Sequence, residues 1–274
     1  MNVPANICNW IVTFLSNRSH CTIFNSPCSS FKSINASVVQ GSAIGPTTFA
    51  IVSSDLKPIN ERNFMIKYAD DTYLIIPSSN SQTIELEINN IVDWAKLNNL
   101  KLNKNKSKEI LFYKPRTNSN LSPPEIEGVE RVSELRCLGV TLTSNFSFTA
   151  HISQIISSSS RNLFALYTLR SHGLSNDLLD TVFKSTTLSK LLYASQSWWG
   201  YLNAHEKERL EAYLRRAARA GFYKNSKSFE ELCSAADIKL FNTVRSNSNH
   251  LLAVILPPVN NHQYSTRRNV SGRN

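Results

Sequence analysis

A chain of 274 residues with 41% hydrophobic side chains and a mean hydropathy of −0.25 has the composition of a soluble globular protein, long enough for one large domain or two modest ones. The formal net charge of +10 and pI of about 9.4 make a polyanion a reasonable partner, although solvated Lys and Arg faces give the same balance. The apolar run Ile7–Leu15 is too short to span a bilayer and has no basic region before it, and the five cysteines form no C-x-x-C pair or zinc-spaced cluster. The expectation is therefore an intracellular protein with no membrane anchor, signal peptide, disulfide scaffold or zinc site, and with reduced thiols.

Residues 1–54 contain no Asp or Glu, and Asp55 is the first carboxylate. Ser26–Ser37 is rich in Ser and Asn and reads as a turn or loop. It leads into Val38-Val39-Gln40-Gly41-Ser42-Ala43-Ile44-Gly45-Pro46, where glycines and a proline punctuate the approach to the apolar Phe49–Val52. Residues 64–76 are two β-prone apolar runs separated by Asp70-Asp71, the pattern of a hairpin with two carboxylates at its tip. A helix follows: Ser79 and Gln82 suit a capping box, and Ile84, Ile88, Ile91, Val92 and Ala95 recur at helical spacing.

Next come a basic, Asn-rich turn at 97–108, a strand over Glu109–Tyr113, an exposed loop over Pro115–Gly128 and a strand over Leu135–Leu142. From about Thr149 the pattern is helical. Ile152, Ile155, Ile156, Leu163 and Leu166 mark one amphipathic helix. Leu178, Leu179, Val182 and Phe183 begin a second, and Leu210, Tyr213, Leu214 and Ala217 mark a third. The organisation expected is α+β over 1–147, all-helical over 148–256 and a polar, basic, disordered tail over 257–274.

Adjacent carboxylates on a tight hairpin repel and cannot be buried unpaired. A divalent cation such as Mg²⁺ resolves the conflict, because it takes oxygen ligands from one or two carboxylates together with substrate phosphates. For a bare Asp-Asp pair, a solvated turn is the commoner explanation. Here the pair stands in Tyr68-Ala69-Asp70-Asp71 between apolar strands, downstream of Gln40-Gly41-Ser42. Lys101, Lys104, Lys106, Lys108, Lys114 and Arg116 follow against the single acid Glu109. Such a cluster suits phosphate contacts that give affinity without sequence readout. Arg215, Arg216 and Arg219 read more as an ordinary charged helix face, and Trp198 and Trp199 more as core anchors than stacking platforms.

Tyr68-Ala69-Asp70-Asp71 resembles the catalytic motif of reverse transcriptases, and Gln40-Gly41-Ser42-Ala43-Ile44-Gly45-Pro46 is similar to the Q-G-S-x-x-G-P motif of non-LTR retrotransposon enzymes. In the same order, Leu100-Lys101-Leu102-Asn103 with Lys106-Ser107 resembles the palm motif N-x-x-K-T. Leu138-Gly139-Val140 resembles the primer-grip strand, and His151-Ile152 with the following helices resembles the thumb. The resemblance implies a partial polymerase palm, an antiparallel sheet with helices on one face, followed by a helical thumb. It implies template-directed nucleotidyl transfer by an RNA-directed DNA polymerase using Mg²⁺ or Mn²⁺, with an RNA template, an RNA–DNA or DNA duplex and dNTP as partners.

By the same resemblance Asp70 is a metal ligand with Asp71 assisting, and Lys106 is a candidate general acid toward pyrophosphate, or one more solvated Lys. Gln40, Gly41, Ser42, Tyr68 and Asn103 border nucleotide and template. Leu138 and Gly139 hold the primer end, and Lys101, Lys104 and Lys108 contact the nucleic-acid backbone. The family also uses a third carboxylate on a palm strand before the Q-G-S motif, and fingers over the nucleotide. Residues 1–54 supply no such carboxylate, so the chain is expected to be inactive alone. The alternative is a non-catalytic nucleic-acid-binding remnant of a retrotransposon.

Overall fold

The structure, a computed structural model, describes residues 3–34, 41–113, 123–225 and 227–257. The chain divides into two compact units, Met1–Glu109 with Ser119–Arg131, and Ile110–Asn118 with Val132–Asn274. Helices and small antiparallel ribbons together make the class α+β, as expected. The expected single palm-like sheet is not formed: among the described residues the strands make four separate two-stranded ribbons. Most of these strands run for only three or four residues. Each satisfies its backbone in one local pairing and leaves little edge for another strand.

In the first unit, α1 (Ala5–Leu15) has no buried residue. Strands β1 (Arg18–His20) and β2 (Lys32–Ile34) pair antiparallel, Arg18 opposite Ile34. α2 (Gly45–Val52) places Pro46 in its first turn, where the missing N–H loses nothing. β3 (Phe64–Tyr68) and β4 (Asp71–Ile75) form the hairpin read from the sequence. α3 (Ile84–Leu97) begins later than the Ser79–Gln82 capping box implies, because Ser78–Thr83 is a 3₁₀ turn and Thr83 makes no side-chain cap.

One stripe of α3 holds the segment ahead of the hairpin. Trp94 Nε1 donates to Asp55 at 2.9 Å, Asn90 Nδ2 to the Lys57 carbonyl at 2.9 Å, and Glu87 accepts from the Ile59 and Asn60 N–H groups at 3.0 and 2.9 Å. Positions 87, 90 and 94 share a helix face, so the helix meets residues 55–60 as a ladder. The buried hydrophobic residues of this unit, among those described, are only Leu56 and Ala95. β5 (Lys108–Ile110) pairs with β6 (Glu130–Val132), a shorter strand than Glu109–Tyr113.

In the second unit the expected strand Leu135–Leu142 is instead a hairpin, β7 (Glu134–Cys137) and β8 (Val140–Thr143), with Cys137 opposite Val140. The first expected helix is α4 (Thr149–Ser171), and the second is α5 (Asn176–Val182), which continues through a π-helical stretch over Phe183–Leu188. Short α6 (Ser189–Leu191) and α7 (Ser195–Trp198) lead to the third, α8 (Ala204–Arg219), and then α9 (Phe229–Ser246). Asn203 with Glu206 and Ser228 with Glu231 form reciprocal capping boxes that start the last two helices.

The predicted apolar positions Ile152, Ile155, Leu163 and Leu166 of α4 and Leu210, Tyr213 and Leu214 of α8 are buried in one cluster with Trp198 and Trp199. Along the seam the Thr149 hydroxyl meets Glu206, Arg209 meets Ser153 at 3.2 Å, the Tyr213 hydroxyl meets the Ser159 carbonyl at 2.6 Å and Arg216 meets Ser160 at 3.3 Å. Partner numbers rise together, so the two helices run parallel. Among the described residues no helix is long and apolar enough to cross a membrane.

Candidate active site

The chain reverses through Ala69 and Asp70, while Asp71 is already paired opposite Tyr68. The carboxylates are therefore not equivalent: Asp70 lies in the turn and Asp71 on the strand, not both at the tip. Ala69 has a φ of 51°, a left-handed conformation that a two-residue hairpin turn usually gives to Gly, Asn or Asp. Strand alternation places Phe64, Ile66 and Tyr68 on one face with their partners Ile75, Tyr73 and Asp71. Phe64, Ile66 and Tyr68 are 61%, 55% and 64% exposed. Lys67 is on the other face and donates to the carbonyls of Ser53 and Leu56. Burial pushes its pKa down, opposed in part by Asp55. The hairpin is thus clamped behind and open, apolar and acid-tipped in front.

Two carboxylates offer oxygen donors, which suit Mg²⁺ or Mn²⁺ when water and substrate phosphates complete the shell. Among the described residues no cluster of three or more His, Cys, Asp or Glu could hold a metal, so the structure brings no third side chain to the pair.

Gly41 has a φ of +79° and a Cβ built there would meet nothing within 4 Å. Its backbone conformation, not crowding, calls for glycine, and its flank is open. Ser42 accepts the Gly45 N–H at 3.2 Å through its carbonyl, leading into α2. Gln40 lies outside the described residues, as do Lys114, Arg116 and the expected tail from residue 258.

Asn103 folds its own turn. Its side chain accepts the Lys106 N–H at 3.2 Å and its carbonyl accepts the Ser107 N–H and hydroxyl, both at 3.0 Å. Lys108 is paired with Glu130 at 2.6 Å and Lys104 donates to the Glu127 carbonyl at 3.3 Å. Lys101, Asn103 and Lys104 line an open groove of about 670 Å³ with Val92, Lys96 and Leu102. Lys96, missed by the sequence reading, belongs to the same basic wall and also pairs with Asp93 at 3.3 Å.

Leu138 and Gly139 form the β7–β8 turn, with φ of 45° and 90°, the pattern of a type I′ turn. The Tyr193 hydroxyl donates to the Leu138 carbonyl at 3.0 Å, and a Cβ at Gly139 would stand 3.1 Å from the Tyr193 ring. Tyr193 had no sequence signal. Buried His151 accepts the Thr141 N–H at 3.4 Å. Burial, and then Arg136, hold its pKa below the ordinary imidazole value, so it props the hairpin as a neutral acceptor. Arg215 pairs with Glu208 at 2.5 Å, in line with an ordinary charged face.

Comparison with known proteins gives the family to which this acid-tipped hairpin, with the glycine-bearing loop and helix before it, belongs. The sequence profile of the family described as reverse transcriptase (RNA-dependent DNA polymerase) matches residues 1–142, more than half of the chain. The chain belongs to the reverse transcriptase family. It is 25% identical over 230 residues to a Drosophila melanogaster protein described as the probable RNA-directed DNA polymerase from transposon X-element, covering 79% of this chain and 25% of the relative. It is 28% identical over 160 residues to the RNA-directed DNA polymerase from mobile element jockey of the same organism, covering 53% of this chain and 17% of that one. The probable RNA-directed DNA polymerase from transposon BS, also from Drosophila melanogaster, is 26% identical over 132 residues, 43% of this chain and 15% of the relative. These relatives bear out the resemblance to non-LTR retrotransposon polymerases. The chain spans at most about a quarter of the length of these curated relatives. No solved structure matches it.

Proposed function

We propose that this chain is the palm and thumb part of an RNA-directed DNA polymerase, with the palm over 1–147 and the thumb over 148–256. The observation that carries the reading is the β3–β4 hairpin, with Asp70 in its turn and Asp71 on the strand at the end of the exposed apolar face of Phe64, Ile66 and Tyr68. A divalent cation bound there, Mg²⁺ or Mn²⁺, would supply electrostatic stabilisation of the attacking and leaving oxygens. Asp70 is its ligand and Asp71 assists.

The other residues position the partners. Gly41 and Ser42, with Gln40, Tyr68 and Asn103, border the incoming dNTP and the RNA template. Leu138 and Gly139, fixed by Tyr193, hold the primer end. Lys106, whose ammonium has no partner among the described residues, can protonate the pyrophosphate leaving group. Lys101, Lys104 and Lys108 meet the backbone of an RNA–DNA or DNA duplex. Binding is then non-specific and salt-sensitive through counterion release.

A second reading, a binding remnant without catalysis, is favoured by the missing third ligand among the described residues and by the absence of Asp and Glu from residues 1–54. Both readings predict that these 274 residues alone bind duplex but do not extend a primer. The test is primer extension on an RNA template with Mg²⁺ and dNTPs, alongside duplex binding. Binding without extension is expected. Robust extension abolished by Asp70→Ala would overturn the inactivity and establish the palm, whereas absence of binding would contradict both readings.

A further inference from the structure

The segment joining β1 to β2 folds back on itself as a small antiparallel hairpin. Ile23 bridges Cys28, the Ser29 N–H donates to the Thr22 carbonyl at 2.9 Å, and the Phe24 N–H donates to the Pro27 carbonyl at 3.1 Å. The Thr22 N–H is taken by the Ser29 hydroxyl at 2.9 Å. Ile23 and Cys28 stand opposite each other on one face, and Cys21, two residues before Ile23, falls on the same face of its strand. Cys21 and Cys28 are diagonal neighbours across the ribbon. The right-handed twist of a two-stranded ribbon draws this diagonal together. The Cys28 thiol donates to the Ser29 carbonyl at 3.4 Å, Cys28 is exposed and Cys21 half-buried. The remaining thiols are placed differently: Cys8 donates to the Val3 carbonyl at 3.7 Å within its own helix region, Cys137 is half-buried at the end of β7, and Cys233 is buried in α9.

We propose that Cys21 and Cys28 are a redox-responsive dithiol that closes to an intrachain disulfide across this hairpin when the protein meets a disulfide oxidant such as oxidised glutathione. The Cys21 thiolate attacks one sulfur of the oxidant, whose S–S bond breaks and releases one glutathione thiolate. The Cys28 thiolate then attacks the Cys21 sulfur of the mixed disulfide and expels the second glutathione thiolate. The protein loses two protons and two electrons, and the oxidant accepts them as two molecules of glutathione. The hairpin holds the resolving thiol beside the first, so ring closure outruns a second encounter with oxidant. The closed ring pins Thr22–Pro27, including Ile23 and Phe24, which are 69% and 76% exposed. The neighbouring Cys21 thiol, and then burial, hold the Cys28 thiol above its ordinary pKa, so closure quickens as pH rises.

Both thiols fall in a single tryptic peptide, Ser19–Lys32, which makes the test direct. The chain is equilibrated in glutathione buffers of increasing oxidation, quenched, alkylated with iodoacetamide and digested. The expected result is that this peptide loses two hydrogens and escapes alkylation at both cysteines together, while Cys8 is alkylated or carries glutathione. In Cys28→Ser, glutathione should remain on Cys21. Glutathione persisting on Cys21 or Cys28 of the unaltered chain, or disulfide-linked dimers in place of the ring, would overturn the proposal. So would two thiols that react independently, each like Cys8.

Discussion

Leu138 holds a left-handed backbone that disfavours a side chain by about 1–2 kcal/mol, and its side chain is 40% exposed. Asn is the preferred residue before Gly in such a turn, so Leu138→Asn is expected to stabilise the fold by about 1 kcal/mol in thermal denaturation. A residue selected for the turn alone would be Asn already, so unchanged or reduced stability would show that the Leu side chain packs more than its exposure implies. Glu87 gives a second residue-level expectation. It is fully buried. Desolvation pushes its carboxyl up, but the Asn60 N–H, the Asn63 amide and the Ile59 N–H outweigh this and hold it below the ordinary 4.5. A depressed carboxyl adds stability above the unfolded value and loses it as pH falls through the folded one. Glu87→Gln should therefore destabilise by about 2 kcal/mol at neutral pH and flatten the acid limb of the stability curve below pH 4.5. An acid limb unchanged by the substitution would place the titration elsewhere. The Asp70–Asp71 hairpin was legible because two apolar β-prone runs flank a pair of carboxylates whose repulsion leaves a mark in sequence. Tyr193 was not, since its hydrogen bond to Leu138 spans 55 residues and a lone Tyr has no periodic context.

The basic turn and its strand decide which lysines are available to a polyanion. Lys108 is held by Glu130 and Lys104 by the Glu127 carbonyl, whereas no partner is recorded among the described residues for the Lys101 ammonium. Lys101→Ala should lower the slope of log affinity against log salt for an RNA–DNA duplex by about one unit, and Lys108→Ala by much less. The reverse order would move the contact surface to the far side of the turn. Sequence treated these lysines alike because Glu127 and Glu130 lie beyond the Pro-rich loop. Helices α4 and α8 were legible because every third or fourth residue is apolar and a packed bundle enforces that spacing. The β7–β8 hairpin was read as one strand because its turn residue is Leu, which carries no turn signal. The α3 ladder onto 55–60 was also hidden, as polar side chains that reach loop backbone have no pattern of their own.

At the scale of the whole molecule, hydrophobic burial is uneven. The second unit encloses a cluster with Phe183, Trp198, Phe222 and Phe229 fully buried, while the first buries Leu56 and Ala95 among its described residues. Amides of α4 and α8 should therefore exchange slower than those of β3–β4 by about two orders of magnitude or more. Comparable protection would mean that the open face of Phe64, Ile66 and Tyr68 is covered in solution. Family membership was legible at this scale from ordered motifs alone, whereas the break-up of the strands into separate ribbons was not, because pairing partners are set by chain reversal and edge length. The proposed function rests on Asp70 and Asp71 as the cation-binding end of the β3–β4 hairpin. The most direct measurement is paramagnetic broadening of backbone amide signals by Mn²⁺ in the presence of a primer–template duplex and dNTP. Broadening should begin at residues 68–72, be displaced by excess Mg²⁺ and be lost in Asp70→Ala. Broadening centred elsewhere, or unaltered by that substitution, would contradict the assignment.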